Sequence, residues 1–202
     1  MARISTIARE ELGDFAETFE RIEAASGFVP NSLLTMAHRP KLLATFLPFA
    51  FEVLVGETSL PQGLRNLVAN VASRAAGCQY CIAHTADASA KAGVEATKIA
   101  AVFEYDSSPL FSEAERAALN LAQCAASVPN MVADSDFERA ARHYTQEQIT
   151  EIMGVIALFG FLNRWNDSIA TELEDHPKAF AEDTLSASGW DVGKHVRTAD
   201  GE

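Results

Sequence analysis

The stretch 149–162 constrains this 202-residue chain more than any other. It carries Ile149, Ile152, Met153, Val155, Ile156, Leu158, Phe159, Phe161 and Leu162, and Thr145 with Gln148 forms a capping-box pattern at its start. A helix apolar on most of its sides cannot face water. It belongs at a domain centre or a subunit interface. Its uninterrupted apolar part, 152–162, is about half of the ~20 residues that a membrane span needs.

The flanking sequence is helical as well. Ile7, Leu12, Phe15, Phe19 and Ile22 make an amphipathic stripe closed by Gly27 and Pro30. Asn31 is placed to cap a short helix through Ala37. The next helix holds Leu42, Leu43, Phe46, Leu47, Phe49, Phe51, Val53 and Leu54, with a kink or break expected at Pro48. Leu64, Leu67, Val68, Val71 and Ala75 follow Pro61, a first-turn residue. Gly77 then interrupts. A new helix runs from Cys78 to Ala92, a short one from Glu95 to Tyr105, and Ser112 with Glu115 opens another. A further short helix covers 134–143. No strand alternation, repeat or low-complexity segment is present. The chain reads as one all-α domain over 1–202: N-terminal helices 5–56, a cysteine-bearing core 60–105, C-terminal helices 112–175 and an irregular tail 176–202 that wraps the surface.

Charge narrows the function. Sixteen Lys and Arg oppose twenty-eight Asp and Glu, for a net charge of -12. A nucleic-acid backbone or an anionic membrane surface is repelled on average. The first residues lack the apolar region of a signal peptide, and three cysteines are too few for an extracellular disulfide framework, so a cytoplasmic location is expected. No glycine-rich phosphate loop occurs, and no nucleotide cofactor is expected.

Chemistry concentrates in 77–85, Gly-Cys-Gln-Tyr-Cys-Ile-Ala-His-Thr. Cys78 and Cys81 are three apart, neighbours on one helical face. Cys78 follows Gly77 at a helix start, where free N–H groups and the helix dipole favour a thiolate. His84, three residues beyond Cys81, can accept or stabilise the thiol proton. Such a pair can attack a peroxide or a disulfide and resolve the product as an internal disulfide. Two structural alternatives stand beside this. The cysteines can be buried small hydrophobes, and His84 can be a surface or capping residue. Zinc held by Cys78, Cys81 and His84 is disfavoured, because a structural site wants a fourth ligand and no second Cys/His pair lies at suitable spacing. No metal is expected.

At these residues the chain resembles the carboxymuconolactone decarboxylase / alkylhydroperoxidase D-like (AhpD-like) superfamily, and within it the peroxidase-related branch. The likeness rests on 27–31 (Gly-Phe-Val-Pro-Asn), on 64–81 and on 161–167 (Phe-Leu-Asn-Arg-Trp-Asn-Asp). It implies an all-α, AhpD-like helical bundle assembling into dimers, trimers or hexamers. It also implies reduction of a hydroperoxide or small disulfide, with an external dithiol, a thioredoxin-like protein or a peroxiredoxin as partner. By position, Cys81 resembles the peroxide-attacking cysteine and Cys78 the resolving one. Two positions depart from the pattern. Asn66 stands where the characterised peroxidases carry a Glu, and Thr85 where they carry a His, with His84 one residue early. The sequence therefore supports a thiol-dependent peroxidase, a redox-responsive oligomer without turnover, or a decarboxylase-type lyase or isomerase.

Cys124 sits on an apolar face and reads as structural. His38, His143, His176 and His195 show no ligand spacing. Phe46, Phe49, Phe51, Phe159 and Phe161 read as core or interface. Within 163–167 the reading is either helix termination with an Arg–Asp surface pair, or Trp165 and Asp167 lining the dithiol pocket with Asp167 as a replacement acid.

Overall fold

The computed structural model describes residues 2–196. Among them are ten α-helices and no strand: α1 Ala16–Ser26, α2 Asn31–Met36, α3 Pro40–Val55, α4 Gln62–Ala75, α5 Gln79–Lys91, α6 Ala96–Ala100, α7 Glu113–Ala126, α8 Asp134–Ala141, α9 Gln146–Ile169 and α10 Asp175–Leu185. Both expected capping boxes form. Ser112 and Thr145 accept from the backbone N–H groups of Glu115 and Gln148, whose side chains return to the cap N–H.

The long apolar helix α9 is buried because two cores share it. Ile152, Val155, Ile156 and Phe159 face a main core built with α4, α5, α7 and α10. Leu158, on another side, closes a second core under α1, α2 and α3 with Phe19, Met36, Leu43 and Phe46. Phe46 and Phe159 are core residues, whereas Phe49, Phe51 and Phe161 stay substantially exposed. No helix among the described residues is long and apolar enough to cross a membrane.

Four local expectations change. The N-terminal stripe is not one helix. Two 3-10 turns, Arg9–Glu11 and Gly13–Phe15, precede α1, and Gly13 at φ +53° breaks the helical path between them. Asn31 does not cap α2. Pro30 holds that position, and the Asn31 amide instead donates to the Glu172 carbonyl at 3.0 Å. Of the kink or break expected at Pro48, the break does not occur: α3 runs unbroken through Pro48, which lies on the solvent side. Water can serve the carbonyl that Pro48 leaves unpaired, while Leu43, Leu47 and Ala50 anchor both halves. The tail is not irregular throughout, because 175–185 form α10. Pro177 falls in its first turn, where a missing N–H costs little, and Ala181 and Leu185 bury one face. Residues 197–202 lie outside the described residues.

The joint between α4 and α5 sets the position of the cysteines. Gly77 adopts φ +74°, a conformation that favours glycine. The Cys78 N–H donates to the Ser73 carbonyl at 3.1 Å and the Gly77 N–H to the Arg74 carbonyl at 2.9 Å, the pairing of a Schellman turn. One residue later α5 begins, with Cys78 as its N-cap.

A partly buried ion pair fastens the segment after α9 across α5. Glu174 binds His84 Nε2 at 2.6 Å, accepts from the Tyr80 hydroxyl at 2.8 Å and from the Asn31 N–H, and so links α5 to α2. Burial opposes ionisation of Glu174. The His84 charge and hydrogen bond, with two backbone N–H groups, outweigh it and hold the carboxyl below its ordinary value. The stability that Glu174 contributes is therefore present above about pH 4.5 and is lost as pH falls through the lower folded value. Glu174→Gln should cost about 1.5–3 kcal/mol in urea unfolding at pH 7, the range for hydrogen bonds to a charged group. The gap to the parent chain should narrow as unfolding is repeated at progressively lower pH below that value. An equal loss at every pH would show that the ion pair is not what Glu174 supplies.

Candidate functional site

Cys78 and Cys81 are both buried, at the N-cap and third position of α5. Neither is bridged. The Asn166 side-chain amide, from the last turns of α9, donates to Cys81 Sγ at 3.5 Å. Burial pushes the Cys81 thiol well up, and the adjacent Cys78 sulfur, hydrogen-bonded to it, adds to the shift. Cys81 is thus a protonated thiol that leans on Cys78.

The His84 ring is committed to partners other than the sulfurs. It stacks on Tyr80 at 4.3 Å between centroids, meets the Phe28 edge at 5.3 Å and is occupied by Glu174. His84 is six residues from Cys78, a rotation of about 120° away on an ideal helix. Thr85 and the Asn66 position are also engaged elsewhere. Thr85 Oγ1 donates back to the Cys81 carbonyl at 2.7 Å and accepts from Asn70 at 2.8 Å. Asn66 donates to the Ala88 carbonyl at 2.8 Å.

The histidine beside the dithiol is His195, in the last described turn, Gly193–His195. Two hydrogen bonds hold the tail: Trp190 Nε1 donates to the Gln79 carbonyl of α5 at 3.2 Å, and the Leu173 N–H, in the segment after α9, donates to the His195 carbonyl at 2.9 Å. The His195 ring is completely buried. Its Nδ1–H donates to the Thr171 carbonyl at 2.6 Å, which places the lone pair of the neutral ring on Nε2. Burial lowers the His195 pKa, partly opposed by Thr171 and Asp167, and favours that neutral form. Nε2 has no hydrogen-bond partner among the described residues and lies 3.8 Å from Asp167 Oδ1. Donor atoms of Cys78, Asp167 and His195 all fall within 4.8 Å of one another.

The segment 163–167 divides between the two cores. Helix α9 continues through it to Ile169 rather than ending there. Asp167 arrives at Cys78, and its Oδ2 pairs with Lys194 at 2.8 Å. Trp165 turns to the second core, donating to Thr35 at 3.1 Å and stacking on Phe161. Arg164 folds onto the Gly160 carbonyl at 2.8 Å and forms no pair with Asp167. Cys124 lies half-buried on α7, its thiol pKa raised chiefly by burial. An open groove of about 970 Å³ runs along α9, lined by Met153, Ile156, Phe161, Asn163 and Asp167 among others. Asp167 therefore stands between the groove and the dithiol.

Sequence reasoning missed Asn166, Glu174 and His195 as partners of α5. Asn163 and Asn166, buried on an otherwise apolar helix, carried a signal at helical spacing. His195 carried none, being more than a hundred residues from Cys78.

Residues 40–123 match the model of the carboxymuconolactone decarboxylase family. The chain is 31% identical over 153 residues to the uncharacterized protein YnjA of Escherichia coli K12, covering 69% of this chain and 84% of YnjA. The debrominase Bmp8, solved as a cysteine-to-alanine variant with 2,3,4-tribromopyrrole, is 32% identical with a TM-score of 0.84, covering 90% of this chain and 96% of that one. An uncharacterized peroxidase-related protein with an AhpD core, from Ralstonia eutropha JMP134, shares the fold at TM-score 0.80 and 24% identity, covering 89% of this chain and 95% of that one. With these likenesses running over most of its length, the chain belongs to the carboxymuconolactone decarboxylase family and has the AhpD-like all-α fold.

Proposed function

We propose that the protein is a dithiol-dependent reductase in which Cys78 and Cys81 together deliver two electrons to a small electrophile, a hydroperoxide in the first instance. The observation that carries this is the pairing of two unbridged, buried thiols one turn apart at the start of α5, with the His195 lone pair near Cys78. A thiol of this kind is a nucleophile once it loses its proton.

The electrostatics favour Cys78 as the attacking sulfur, the reverse of the order that the family resemblance implies. Cys78 heads a 13-residue helix, where the dipole supports negative charge, and Cys81 holds its proton. The Cys78 S–H proton passes to His195 Nε2. The thiolate attacks the outer peroxide oxygen, the O–O bond breaks, and the alkoxide takes a proton and leaves as alcohol. The resulting Cys78 sulfenic acid is attacked by Cys81 sulfur, water leaves, and the 78–81 disulfide closes. The sum is one hydroperoxide and two thiols giving alcohol, water and disulfide. An external dithiol, from a thioredoxin-like or peroxiredoxin partner, reopens the bridge by exchange.

Peptide mass analysis after one equivalent of hydroperoxide should show the 78–81 disulfide in the parent chain and its reversal by dithiol. Cys81→Ser should instead accumulate a sulfenic acid on Cys78, trapped by a dione reagent, and lose sustained turnover by at least about tenfold. A trapped adduct confined to Cys81 in Cys78→Ser would restore the opposite order. Undiminished turnover in both variants would end the dithiol reading.

The likeness to a debrominase, with the apolar groove beside Asp167, favours a second electrophile of the same electron demand. A bromoaromatic and two thiols balance as arene, bromide, a proton and disulfide. One sulfur takes the bromine, the ring carbon takes a proton, and the second sulfur displaces bromide. Incubation of the reduced chain with a bromopyrrole should release one bromide per disulfide formed. Disulfide without bromide release would confine the chemistry to peroxides.

A further inference from the structure

We infer that Cys78, Asp167 and His195 form a binding site for a zinc-type divalent transition-metal cation, held by one thiolate sulfur, one carboxylate oxygen and one imidazole nitrogen. The three residues come from the start of α5, the last turn of α9 and the turn Gly193–His195, and their donor atoms already lie within 4.8 Å of one another. Tetrahedral zinc with bonds of ~2.0–2.3 Å asks for donor separations of roughly 3.3–3.7 Å, so side-chain shifts of about 1 Å complete the site.

Two further features point to a cation. The His195 side chain is wholly buried, and its Nε2 has no hydrogen-bond partner among the described residues. The other ring nitrogen is fixed on the Thr171 carbonyl, the arrangement by which a ligating histidine is oriented and its tautomer set. Asp167 is divided in the same sense. Oδ2 is taken by Lys194 at 2.8 Å, whereas Oδ1 faces His195 at 3.8 Å.

The donor set identifies the class of metal. Sulfur with imidazole nitrogen suits zinc or cobalt, and magnesium and calcium take oxygen ligands. On binding, the Cys78 S–H releases its proton to solvent, and Sγ, Oδ1 and Nε2 each donate an electron pair with no change of oxidation state. Thiolate and carboxylate then match the dication in charge. Three protein ligands leave a fourth position for water or a small ligand. Cys81 is outside the set. This inference goes beyond the redox reading and does not rest on it.

The test is a titration of the full, reduced, metal-free chain with Co²⁺, read by thiolate-to-cobalt charge-transfer absorption, followed by displacement with Zn²⁺. One Co²⁺ per chain is expected. Cys81→Ser should bind within about threefold of the parent, because it retains all three ligands. Cys78→Ser should lose the charge-transfer band. Asp167→Asn should weaken binding at least about tenfold, no less than loss of an outer-shell partner costs. His195→Gln accompanies His195→Ala, with helicity measured for each, so that loss of binding is scored on a folded chain. No band in the parent, a band persisting in Cys78→Ser, or parent-like affinity in folded Asp167→Asn overturns the site. A chain that forms the 78–81 disulfide but binds no Co²⁺ overturns this inference alone. One that binds Co²⁺ but never forms the disulfide overturns the redox reading alone.

Discussion

The left-handed turn at Gly77 fixes where this molecule's two neighbouring thiols sit. Residues 73–78 close α4 with two backbone hydrogen bonds, and the chain starts α5 without an intervening loop. A side chain at position 77 would meet no neighbour, but its φ of +74° strains any residue that carries a Cβ. Because the joint is this tight, Cys78 is simultaneously the exit of one helix and the cap of the next. Helices α4 and α5, which pack against each other, therefore converge on the first sulfur, and Cys81 follows one turn later beneath Asn166.

Helix α9 supplies the opposite wall, and its amino-acid pattern shows why one helix can do so. Its apolar N-terminal two-thirds serve two cores at once, which is what an all-round apolar helix requires. Its last turns then change character. Asn163 and Asn166 are buried, and each keeps one amide oxygen without a hydrogen-bond partner among the described residues. An unpaired buried amide oxygen is costly, by roughly 1–3 kcal/mol. Such a cost is tolerated at places where a substrate, a water or an ion completes the polar set, and these oxygens flank the dithiol and the groove.

The fold and the dithiol were legible in the sequence because both are written locally. Capping boxes, glycine stops and the 3–4 spacing of apolar residues each act within a turn or two, and Cys78 and Cys81 belong to a single turn. Where local rules misled, tertiary contacts had overridden them. Packing on both sides carried α3 through Pro48, and Glu172 drew the Asn31 side chain away from capping α2. His84 is one turn from Cys81, as its spacing in the sequence says, but its Nε2 is taken by Glu174. The carboxylate that captures it, Glu174, is ninety residues away, and nothing within α5 announces it. His195 was illegible for the same reason in reverse.

Helix α5 thus carries two polar clusters on different faces, and Tyr80 stands between them. Its ring stacks on His84 on one side and lies 5.8 Å from the His195 ring on the other. Its hydroxyl is committed to Glu174, and burial together with that carboxylate pushes its own pKa far up, so it stays a neutral spacer. Under the proposed chemistry, the division separates structural from chemical duty. The His84–Glu174 pair fastens the segment that leads to the tail, and the tail carries His195 to Cys78. A histidine close in sequence secures the frame, so that a distant one can be held, buried and neutral, against the sulfur.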